Sequence, residues 1–592
     1  HAGLPEDGLA EAVRRRLALM PLWTRAYVGA SAWAARWAAP LAFLGRLAPL
    51  ERLSPRERER LLAKLIGARP AIRGLFLGAR AVVLAACYAP AAPPAPPRRA
   101  AGEPAAKPSR SRASYDVIVA GSGAGGCAAA GRLAELGARV LLVETGVRAA
   151  SPPDAFEAVL RYYAHGGFWS PTGNCLMPVP TGRALGGTTT INSGTCLDPP
   201  VELLAGWERE SRGAFEAAEF GGLLAEARRR LGARRAPPET ASVSSTLFLR
   251  GAASLGWPNA GYLDRAETSC SGRGRCCFVC PDGAKTTADR AFLEPLAGRP
   301  ELTLATGVSL ESFRPAERRG GPVRVRLRGP DGAASVSCRA LILACGALTT
   351  PYFVRRQRLG AGWRSAGDGL SVHPAAKLFA LFDERVEGWK GVPQGAGCLD
   401  PELPGLRYEG VSTPLEIAAM TLPLEGRALR EWMDRYERVA TFGLMAADSG
   451  RGKIRYPAGP RFPWVRYDLH PADTFRLSAG ILRLARLFFA AGASRVLAPF
   501  VTAPNDFGGA DALRRRDPKA TRPGELQLMA FHPLGTCAMG RVAGWDQRLA
   551  EGVYVSDGSA VPGPLGVNPQ MTIYALGLRL AERLARGSRP AA

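Results

Sequence analysis

A glycine-rich turn with the spacing of a dinucleotide-binding site lies at Gly121-Ser-Gly123-Ala-Gly-Gly126. The first glycine allows a tight turn, the second lets a pyrophosphate approach the backbone, and the third lets a helix pack closely on a strand. Glu144 follows 18 residues after Gly126, about where a carboxylate accepts hydrogen bonds from an adenosine ribose. These residues predict a dinucleotide site, and they leave open whether the dinucleotide is NAD or FAD.

Two further segments near the C-terminus carry polar side chains. His532, one of 5 histidines, lies in the loop 531–540. The stretch 552–558 is typical of a strand that ends in an acid, Asp557. Asn568 and Pro569 predict the start of a final helix over 570–584, whose N-terminus would point its positive dipole end at an electron-rich ring.

The elements that must position these residues are predicted by hydrophobic patterning. The runs 117–120, 139–143 and 340–346 have the length and composition of buried parallel strands. A helical pattern follows the glycine turn and ends at Gly137. In a doubly wound sheet, ligands bind at the carboxyl ends of such strands. The segments 302–305, 323–327 and 334–338 look antiparallel, and 371–525 predicts a second domain with an antiparallel sheet.

A loop at 181–194 reads TGRALGGTTTINSG. Closely spaced glycines, followed by hydroxyls and an Asn, allow a backbone to pass beside a flat, polar ring system. Taken alone, a Gly-rich segment is more often only a loop. This stretch therefore indicates a binding site for such a ring only together with the other motifs.

Four cysteines lie within the segment 270–280, at positions 270, 276, 277 and 280. Such a group could bind zinc or an iron–sulfur cluster. Only one C-x-x-C is present, without a second pair at zinc-finger spacing and without a nearby His. A cysteine-lined loop without metal is therefore favoured, with one disulfide as an alternative. The remaining cysteines are scattered, which fits a reducing compartment.

The N-terminal 113 residues form a separate unit. Patterning predicts helices over 55–66 and 70–88, followed by a Pro-rich linker at 89–112. No uncharged stretch free of proline is long enough to span a membrane. One interpretation places basic amphipathic helices, with Trp23, Trp33 and Trp37, on a membrane surface, so that residues 1–90 make a peripheral contact. The other is a helical cap packed on the main body.

The net charge of +25 and the pI near 10.2 are typical of proteins that bind nucleic acid or membranes. The cations are overwhelmingly Arg and are spread among Ala, Gly and Pro throughout the chain, which indicates a compositional bias. No basic run is interleaved with stacking aromatics, as a nucleic-acid groove would need. We therefore expect a solvated basic surface and no nucleic-acid partner.

Four separated blocks resemble one enzyme family. They read GSGAGG with Glu144, GRALGGTTTINSG, GALTTP, and HPLGTCAMG followed by GVYVSDGSAVPGPLGVNPQMTIYALG, and they span about 115–584 in the family's order. In these blocks the chain resembles the glucose–methanol–choline (GMC) oxidoreductases, which bind FAD and oxidise alcohols. The resemblance implies that the dinucleotide is FAD.

The resemblance also implies an α/β fold. An FAD-binding, doubly wound Rossmann-type domain would be joined to an α+β substrate domain with a six-stranded antiparallel sheet. The expected division is 1–113 for the N-terminal helical extension and linker, 114–370 for the first part of the FAD domain with the Cys-rich loop 270–280, 371–525 for the substrate domain, and 526–592 for the C-terminal part of the FAD domain.

Carried over by position, the family's cofactor contacts fall on residues of every block. The pyrophosphate, ribose and adenine would be held by Gly121, Gly123, Ala124, Gly126, Glu144 and Val308. The flavin, its ribityl chain and the adjoining phosphate would be held by Arg183, Gly187, Thr188, Asn192, Asp557, Gly558, Met571 and Thr572.

The catalytic pair implied by the resemblance is His532, which matches the family's base, and Asn568, which matches its partner. An alcohol gives up a hydride only while its O–H proton is being removed, and a His of near-neutral pKa suits that task. The Asn568 amide would hydrogen-bond the alcohol oxygen and direct the C–H toward flavin N5. His373, in a similar Gly-x-Ser-Val-His-Pro context, is interpreted as structural.

The N-terminal extension, the GGTTTINSG variant and the Cys-rich loop most resemble long-chain alcohol oxidases and related bacterial GMC proteins. We therefore expect an apolar, long-chain primary alcohol to be oxidised to its aldehyde, in the cytoplasm or at a membrane surface of a bacterium. Alternatives are a sterol or sugar oxidase or dehydrogenase on the same scaffold, and a flavoprotein without alcohol-oxidising activity. The electron acceptor is either oxygen or another redox partner.

Overall fold

The computed structural model of the protein describes residues 6–66, 68, 70–88, 114–167 and 169–588. Two large sheets form its centre, each with its own apolar core. The predicted linker at 89–112 lies outside the described residues. The α/β fold class, with a parallel sheet, an antiparallel sheet and an N-terminal helical region, is confirmed.

The first sheet is built on five parallel strands, because its central runs are apolar on both faces and must be covered on both sides. In spatial order the strands are Val553–Val555, Gly332–Leu343, Ser114–Ala120, Val140–Glu144 and Leu302–Thr306. The helices Ala124–Glu135 and Gln570–Ser588 pack against each other beside this sheet. Antiparallel additions are Ser309–Arg314, Val323–Gly329 and Arg548–Ala550.

One predicted strand direction is wrong. The segment 302–305 looked antiparallel, but Leu302–Thr306 pairs in parallel with Val140–Glu144. A short run of Leu, Thr and Ala carries no signal for direction, which is set by the long crossover that precedes it. The antiparallel predictions at 323–327 and 334–338 are confirmed, because Val323–Gly329 pairs with Gly332–Leu343.

The second sheet is antiparallel and has eight strands, where the resemblance implied six. Two short strands come from outside 371–525: Gly261–Tyr262 joins one edge, and Met529–Ala530 pairs with a central strand. The helix Pro471–Ala490 covers one face. The remaining strands are Asp506–Phe507, Arg495–Leu497, Pro374–Leu381, Val439–Ala446, Leu406–Gly410 and Ala396–Leu399.

The N-terminal region is helical and packs on the main body. Its helices are Glu6–Leu19, Leu22–Trp33, Ala34–Ala38 (a π-helix), Ala39–Leu44, Pro55–Ile66 and Pro70–Tyr88, so both helices predicted here are confirmed. Arg16 forms a buried ion pair with Asp154 at 3.0 Å. Arg80 donates to the backbone carbonyls of Leu422 and Leu424, each at 3.0 Å. Within the described part of the chain, no helix is long and apolar enough to cross a membrane.

Candidate functional site

The carboxyl ends of the parallel strands open onto a cavity of ≈ 2030 Å³ that also reaches the second sheet and the N-terminal helices. Most of the predicted site residues line this single space. They are Gly121, Gly123, Ala124, Glu144, Arg183, Gly187, Thr188, Asn192, Val308, His532, Asp557, Gly558 and Asn568. Among the described residues, the predicted positions outside the lining are Gly126, Met571 and Thr572.

The glycines of the turn have three different environments. Gly121 adopts φ +112°, and a Cβ there would lie 2.1 Å from the carbonyl oxygen of Ala344. A Cβ on Gly126 would lie 2.0 Å from the carbonyl oxygen of Gly121, so this glycine lets the helix pack on the strand. At Gly123 a Cβ would meet nothing within 4 Å. Gly123 therefore leaves the turn open on the side of the cavity.

The two acids at the strand ends are held by protein donors. The Glu144 carboxylate accepts hydrogen bonds from the Ser122 N–H at 3.0 Å and the Gly146 N–H at 2.7 Å. The Asp557 carboxylate accepts from the backbone N–H groups of Gly346 and Ser559, each at 2.8 Å. Both acids therefore have fixed orientations at the sheet edge where a ligand would lie.

The loop 181–194 lies directly on the glycine turn. Gly187 adopts φ +55°, and a Cβ on it would lie 2.8 Å from the Cα of Gly123. Asn192 donates from Nδ2 to Oε1 of Gln570 at 2.9 Å, which ties the loop to the start of the final helix. Thr188 accepts the Gly182 N–H at 3.0 Å. The side chain of Arg183 is exposed at the edge of the cavity.

The cysteines of the 270–280 loop are free thiols. Within the described residues, no group of His, Cys, Asp or Glu has the arrangement of a metal site. The backbone of the loop supports the cavity wall, since Lys285 donates to the carbonyl of Cys276 and to that of Asn192, each at 2.7 Å. Burial raises the pKa of the Cys277 thiol to about 11, so this thiol is protonated near neutral pH.

His532 is paired with a second histidine, which sequence reasoning treated as structural. The Nδ1 atoms of His373 and His532 are 3.1 Å apart. Nε2 of His373 accepts the backbone N–H groups of Leu565 at 3.0 Å and Gly566 at 3.2 Å. His373 therefore carries its proton on Nδ1 and donates it to Nδ1 of His532. This leaves Nε2 as the His532 nitrogen available to a ligand.

Burial makes both rings of this pair poor proton acceptors. The pKa of His532 is lowered to about 4 by desolvation. The pKa of His373 is also lowered well below its ordinary value, first by desolvation and then by the neighbouring His532 and Arg451. Both histidines are therefore neutral near pH 7.

Asn568 is oriented by a carboxylate that sequence reasoning missed. Its Nδ2 donates to Oε2 of Glu409 at 3.2 Å, and Gln394 donates to the same oxygen at 2.7 Å. Burial raises the pKa of Glu409. The Oδ1 atom of Asn568 is buried without a hydrogen-bond partner among the described residues. An unsatisfied buried acceptor beside a cavity indicates a place for a ligand donor.

Met571 and Thr572 lie in the first turn of the final helix and are fully buried. Met571 belongs to the apolar core of the first sheet. Thr572 has a buried Oγ1 without a hydrogen-bond partner among the described residues. Their side chains point into the protein, so any contact they make with a ligand runs through the backbone.

The N-terminal helices form the outer part of the cavity. Pro21, Trp23 and Tyr27 belong to its lining. Trp23 packs edge-on against His165 at 5.3 Å and against Phe462 at 6.0 Å, measured between ring centroids. Phe462 is 45% exposed, which places an aromatic rim at the surface. These contacts agree with a helical cap, which is one of the two interpretations that the sequence left open.

Comparison with known proteins agrees with this geometry. The two regions that define the GMC oxidoreductases match residues 115–375 and 448–577. An uncharacterized GMC-type oxidoreductase of Mycobacterium tuberculosis is 35% identical over 573 residues, which cover 90% of this chain and 87% of that protein. A long-chain-alcohol oxidase of Arabidopsis thaliana is 24% identical over 536 residues, which cover 80% of this chain and 69% of that protein.

Solved structures show the same fold. Pyridoxine 4-oxidase from Mesorbium loti superimposes with a TM-score of 0.59 at 18% sequence identity, over 79% of this chain and 99% of that one. The two family regions, 115–375 and 448–577, cover the parallel strands and the segment that carries His532. The chain therefore belongs to the GMC oxidoreductase family, whose members use FAD and act on CH–OH groups.

Proposed function

We propose that the protein oxidises a long-chain primary alcohol to its aldehyde, with FAD in the cavity and oxygen as the electron acceptor. The observation that carries this proposal is one continuous space that joins the glycine turn, the pair His532 and Asn568, and the apolar N-terminal helices. Relatives named long-chain-alcohol oxidases support the choice of substrate. Because these relatives are oxidases, they also support oxygen as the electron acceptor.

The cavity wall fits FAD. Gly123 leaves room for a pyrophosphate, since no atom lies within 4 Å of a Cβ built there. Glu144 and Asp557 are oriented carboxylates at the two sides of the glycine turn, suited to hydroxyl donors of the ribose and ribityl groups. At the start of the final helix, the unpaired Oδ1 of Asn568 lies at the cavity, where a polar group of a ligand would satisfy it.

Bound FAD would supply the hydride acceptor, and the residues of this chain must bind the alcohol, orient its C–H bond and remove its hydroxyl proton. Asn568, held by Glu409, contacts the alcohol oxygen. His532 contacts the same oxygen through Nε2 and takes its proton as a base. The apolar wall excludes water from the reacting carbon.

Transfer of the hydroxyl proton to His532 requires a change in the positions of the protons on the two histidines. In the structure His373 donates to Nδ1 of His532, so neutral His532 carries its own proton on Nε2. For Nε2 to accept the hydroxyl proton, the hydrogen bond between the rings must reverse. His532 then donates from Nδ1, and His373 carries its proton on Nε2 in place of the contacts with Leu565 and Gly566.

The division of labour follows the predicted domains. In this proposal the described residues of 114–370 and 526–592 hold FAD, 371–525 supplies most of the substrate wall, and the described helices between residues 6 and 88 cover the outer cavity. The paired strands Pro374–Leu381 and Met529–Ala530 join the substrate wall to the C-terminal segment of the FAD-binding part beside His532.

An anaerobic titration tests the proposal. Adding 1-dodecanol to the purified, FAD-loaded protein is expected to bleach the absorbance of oxidised flavin, and admitting air is expected to restore it. Protein that folds but binds no FAD would contradict the cofactor assignment. If dodecanol leaves the flavin oxidised but a sterol or a sugar reduces it, the substrate belongs to the sterols or sugars. If no alcohol reduces the flavin, the protein is a flavoprotein without alcohol-oxidising activity.

The N-terminal helices also provide a membrane contact that suits a lipid-dissolved substrate. Their outer face exposes apolar side chains, with Trp33 63% and Trp37 46% exposed. Between Glu11 and Glu51 the sequence has six arginines and no acid, which favours an anionic lipid surface. Five of these arginines already form ion pairs with carboxylates, so apolar contact should dominate. The exposed apolar residues are Leu22, Trp33, Trp37, Leu41 and Leu47.

Sedimentation with phosphatidylglycerol-containing vesicles tests this contact. The double variant Trp33→Ser, Trp37→Ser is expected to weaken vesicle binding at least about 10-fold, because two aromatic side chains no longer enter the interface. Phe475→Ser, which removes a 37% exposed aromatic from the helix Pro471–Ala490, is the matched control and should bind like the unchanged protein. Equal binding by all three proteins would rule the contact out.

A further inference from the structure

Two lysines of the protein, the buried Lys285 and the half-buried Lys377, have different surroundings. Lys285 donates hydrogen bonds to the backbone carbonyls of Thr190, Asn192 and Cys276 at 2.7–2.9 Å. Lys377, whose side chain lines the cavity, has neither a hydrogen bond nor a carboxylate within 4.0 Å among the described residues. Its Nζ lies 5.8 Å from the centroid of the Phe379 ring. Its ammonium group is therefore held at the cavity wall without a polar protein partner.

An unpaired cation in this position is unfavourable for the protein alone. Taking an ammonium group out of water is costly unless a counter-charge or several acceptors replace the water. Desolvation lowers the pKa of Lys377 to about 8, so the group is still mainly protonated near pH 7. A wall that served only a plain alkanol would be better built from apolar side chains. The cation therefore indicates an anionic group on the ligand.

The sheet places Lys377 two strands away from Glu409, the residue that holds Asn568. Lys377 pairs directly with Gly443, and Gly443 pairs directly with Glu409 on the next strand. Directly paired residues of an antiparallel sheet point to the same face, and all three line the cavity. Strand spacing separates the Cα atoms of Lys377 and Glu409 by about 10 Å. Gly443 has no side chain, and a Cβ built on it would lie 3.1 Å from Cγ2 of Val411, so the floor between Lys377 and Glu409 is covered by an apolar group that itself lines the cavity.

We propose that Lys377 binds the carboxylate of the substrate, which is then a hydroxy acid with its terminal hydroxyl at His532 and Asn568. This inference rests on the proposed oxidation of an alcohol and names the chemical class of its substrate. The aliphatic chain of the acid lies against Val411 and along the apolar wall. The product is the corresponding aldehyde acid.

A carboxylate fits this site better than a phosphate. Phosphate sites in proteins combine several donors, such as an Arg fork or a row of backbone N–H groups. Lys377 offers one ammonium group, which matches a monoanion. An ammonium–carboxylate contact in a water-poor cavity is a charge-assisted hydrogen bond, stronger than a neutral one.

Kinetics with a charged and a neutral substrate of the same length test the proposal. The two substrates are 12-hydroxydodecanoate and its methyl ester, and the quantity measured is the ratio of their kcat/KM values. The unchanged enzyme is expected to prefer the acid. Lys377→Met should lower this ratio roughly 10- to 100-fold, the usual effect of losing a hydrogen bond to a charged group. Lys377→Arg should retain most of the preference.

A matched control is Lys453→Met, which removes the same charge from an exposed lysine outside the cavity lining and should leave the ratio unchanged. A ratio in Lys377→Met equal to that of the unchanged enzyme would overturn the proposal. A fall of equal size in Lys453→Met would also overturn it, because net charge rather than the site would be responsible.

Binding without turnover separates this inference from the proposed function. Dodecanoate and methyl dodecanoate have no hydroxyl to oxidise, and calorimetry on the FAD-loaded protein compares their Kd values. Tighter binding of dodecanoate that is lost in Lys377→Met supports the carboxylate site even if no alcohol reduces the flavin. Equal Kd values for the two ligands in the unchanged protein would overturn the site even if 1-dodecanol is oxidised.

Discussion

Replacing His532 with alanine is expected to lower kcat/KM for 1-dodecanol by roughly 10²- to 10⁴-fold, the range associated with loss of a positioned acid–base group. The variant should still bind FAD, because the side chain lies in the wall shared with the second sheet and away from the glycine turn. Stopped-flow measurement of anaerobic flavin reduction checks the rate. The flavin spectrum of the purified variant checks the cofactor.

His532→Gln distinguishes the two roles that the ring could play. A glutamine amide can donate a hydrogen bond to the alcohol oxygen, but it cannot accept a proton. If His532 is the base, the Gln variant should be as slow as the Ala variant. If the Gln variant keeps activity within about 10-fold of the unchanged enzyme, His532 acts only as the Nε2–H donor that the hydrogen bond from His373 implies, and its assignment as base is wrong.

The assignment of His532 as the base also predicts how kcat/KM depends on pH. Burial lowers the pKa of His532 to about 4, so the ring is neutral throughout the ordinary pH range. The base form is lost only on acidification, and kcat/KM should therefore be flat near neutral pH and fall as pH drops through about 4. An activity loss centred near the usual histidine pKa would show that His532 is solvated when it acts.

Gly123→Val is expected to abolish FAD binding in a protein that still folds. Gly123 has φ −69° and ψ −174°, which any residue adopts, and a Cβ there meets no atom within 4 Å. The added side chain instead occupies the space through which a pyrophosphate approaches the turn. Flavin content after gel filtration measures the loss, and circular dichroism with thermal unfolding establishes that the fold is intact.

Gly126→Ala is the matched comparison within the same turn. Its Cβ would lie 2.0 Å from the Gly121 carbonyl oxygen, so the helix must move away from the strand. We expect this variant to unfold at a lower temperature, whereas Gly123→Val should unfold near the temperature of the FAD-free protein. Full FAD occupancy in Gly123→Val would contradict the placement of the pyrophosphate at this glycine.

The N-terminal half of the site was predictable because it is local. The strand, turn and helix that carry Gly121, Gly123 and Glu144 follow one another directly, and the geometry of such a unit is imposed by the chain itself. The family resemblance then identified FAD, which the family match confirms. The direction of Leu302–Thr306 was not predictable, since it depends on a distant partner rather than on its own residues.

The partner of His532 was not predictable for the same reason. His373 is 159 residues away along the chain. The two histidines meet because Pro374 pairs with Ala530, so the residues that flank this pair lie side by side. Glu409 reaches Asn568 through a comparable long-range contact. Neither contact leaves a periodic pattern in the sequence, and each is decided by strand register.

The sequence by itself determined the glycine turn with its carboxylate, because this unit is a short segment whose residue types dictate its own backbone geometry. The resemblance of the chain's motifs to one family then identified the family and FAD. The sequence did not determine which side chains meet in the cavity. The tertiary structure alone placed His373 on His532 and Glu409 on Asn568, set Lys377 across Gly443 from Glu409, and brought Trp23 to the outer wall. Such contacts join segments far apart in the chain, and only the packing of the two sheets and the N-terminal helices decides them.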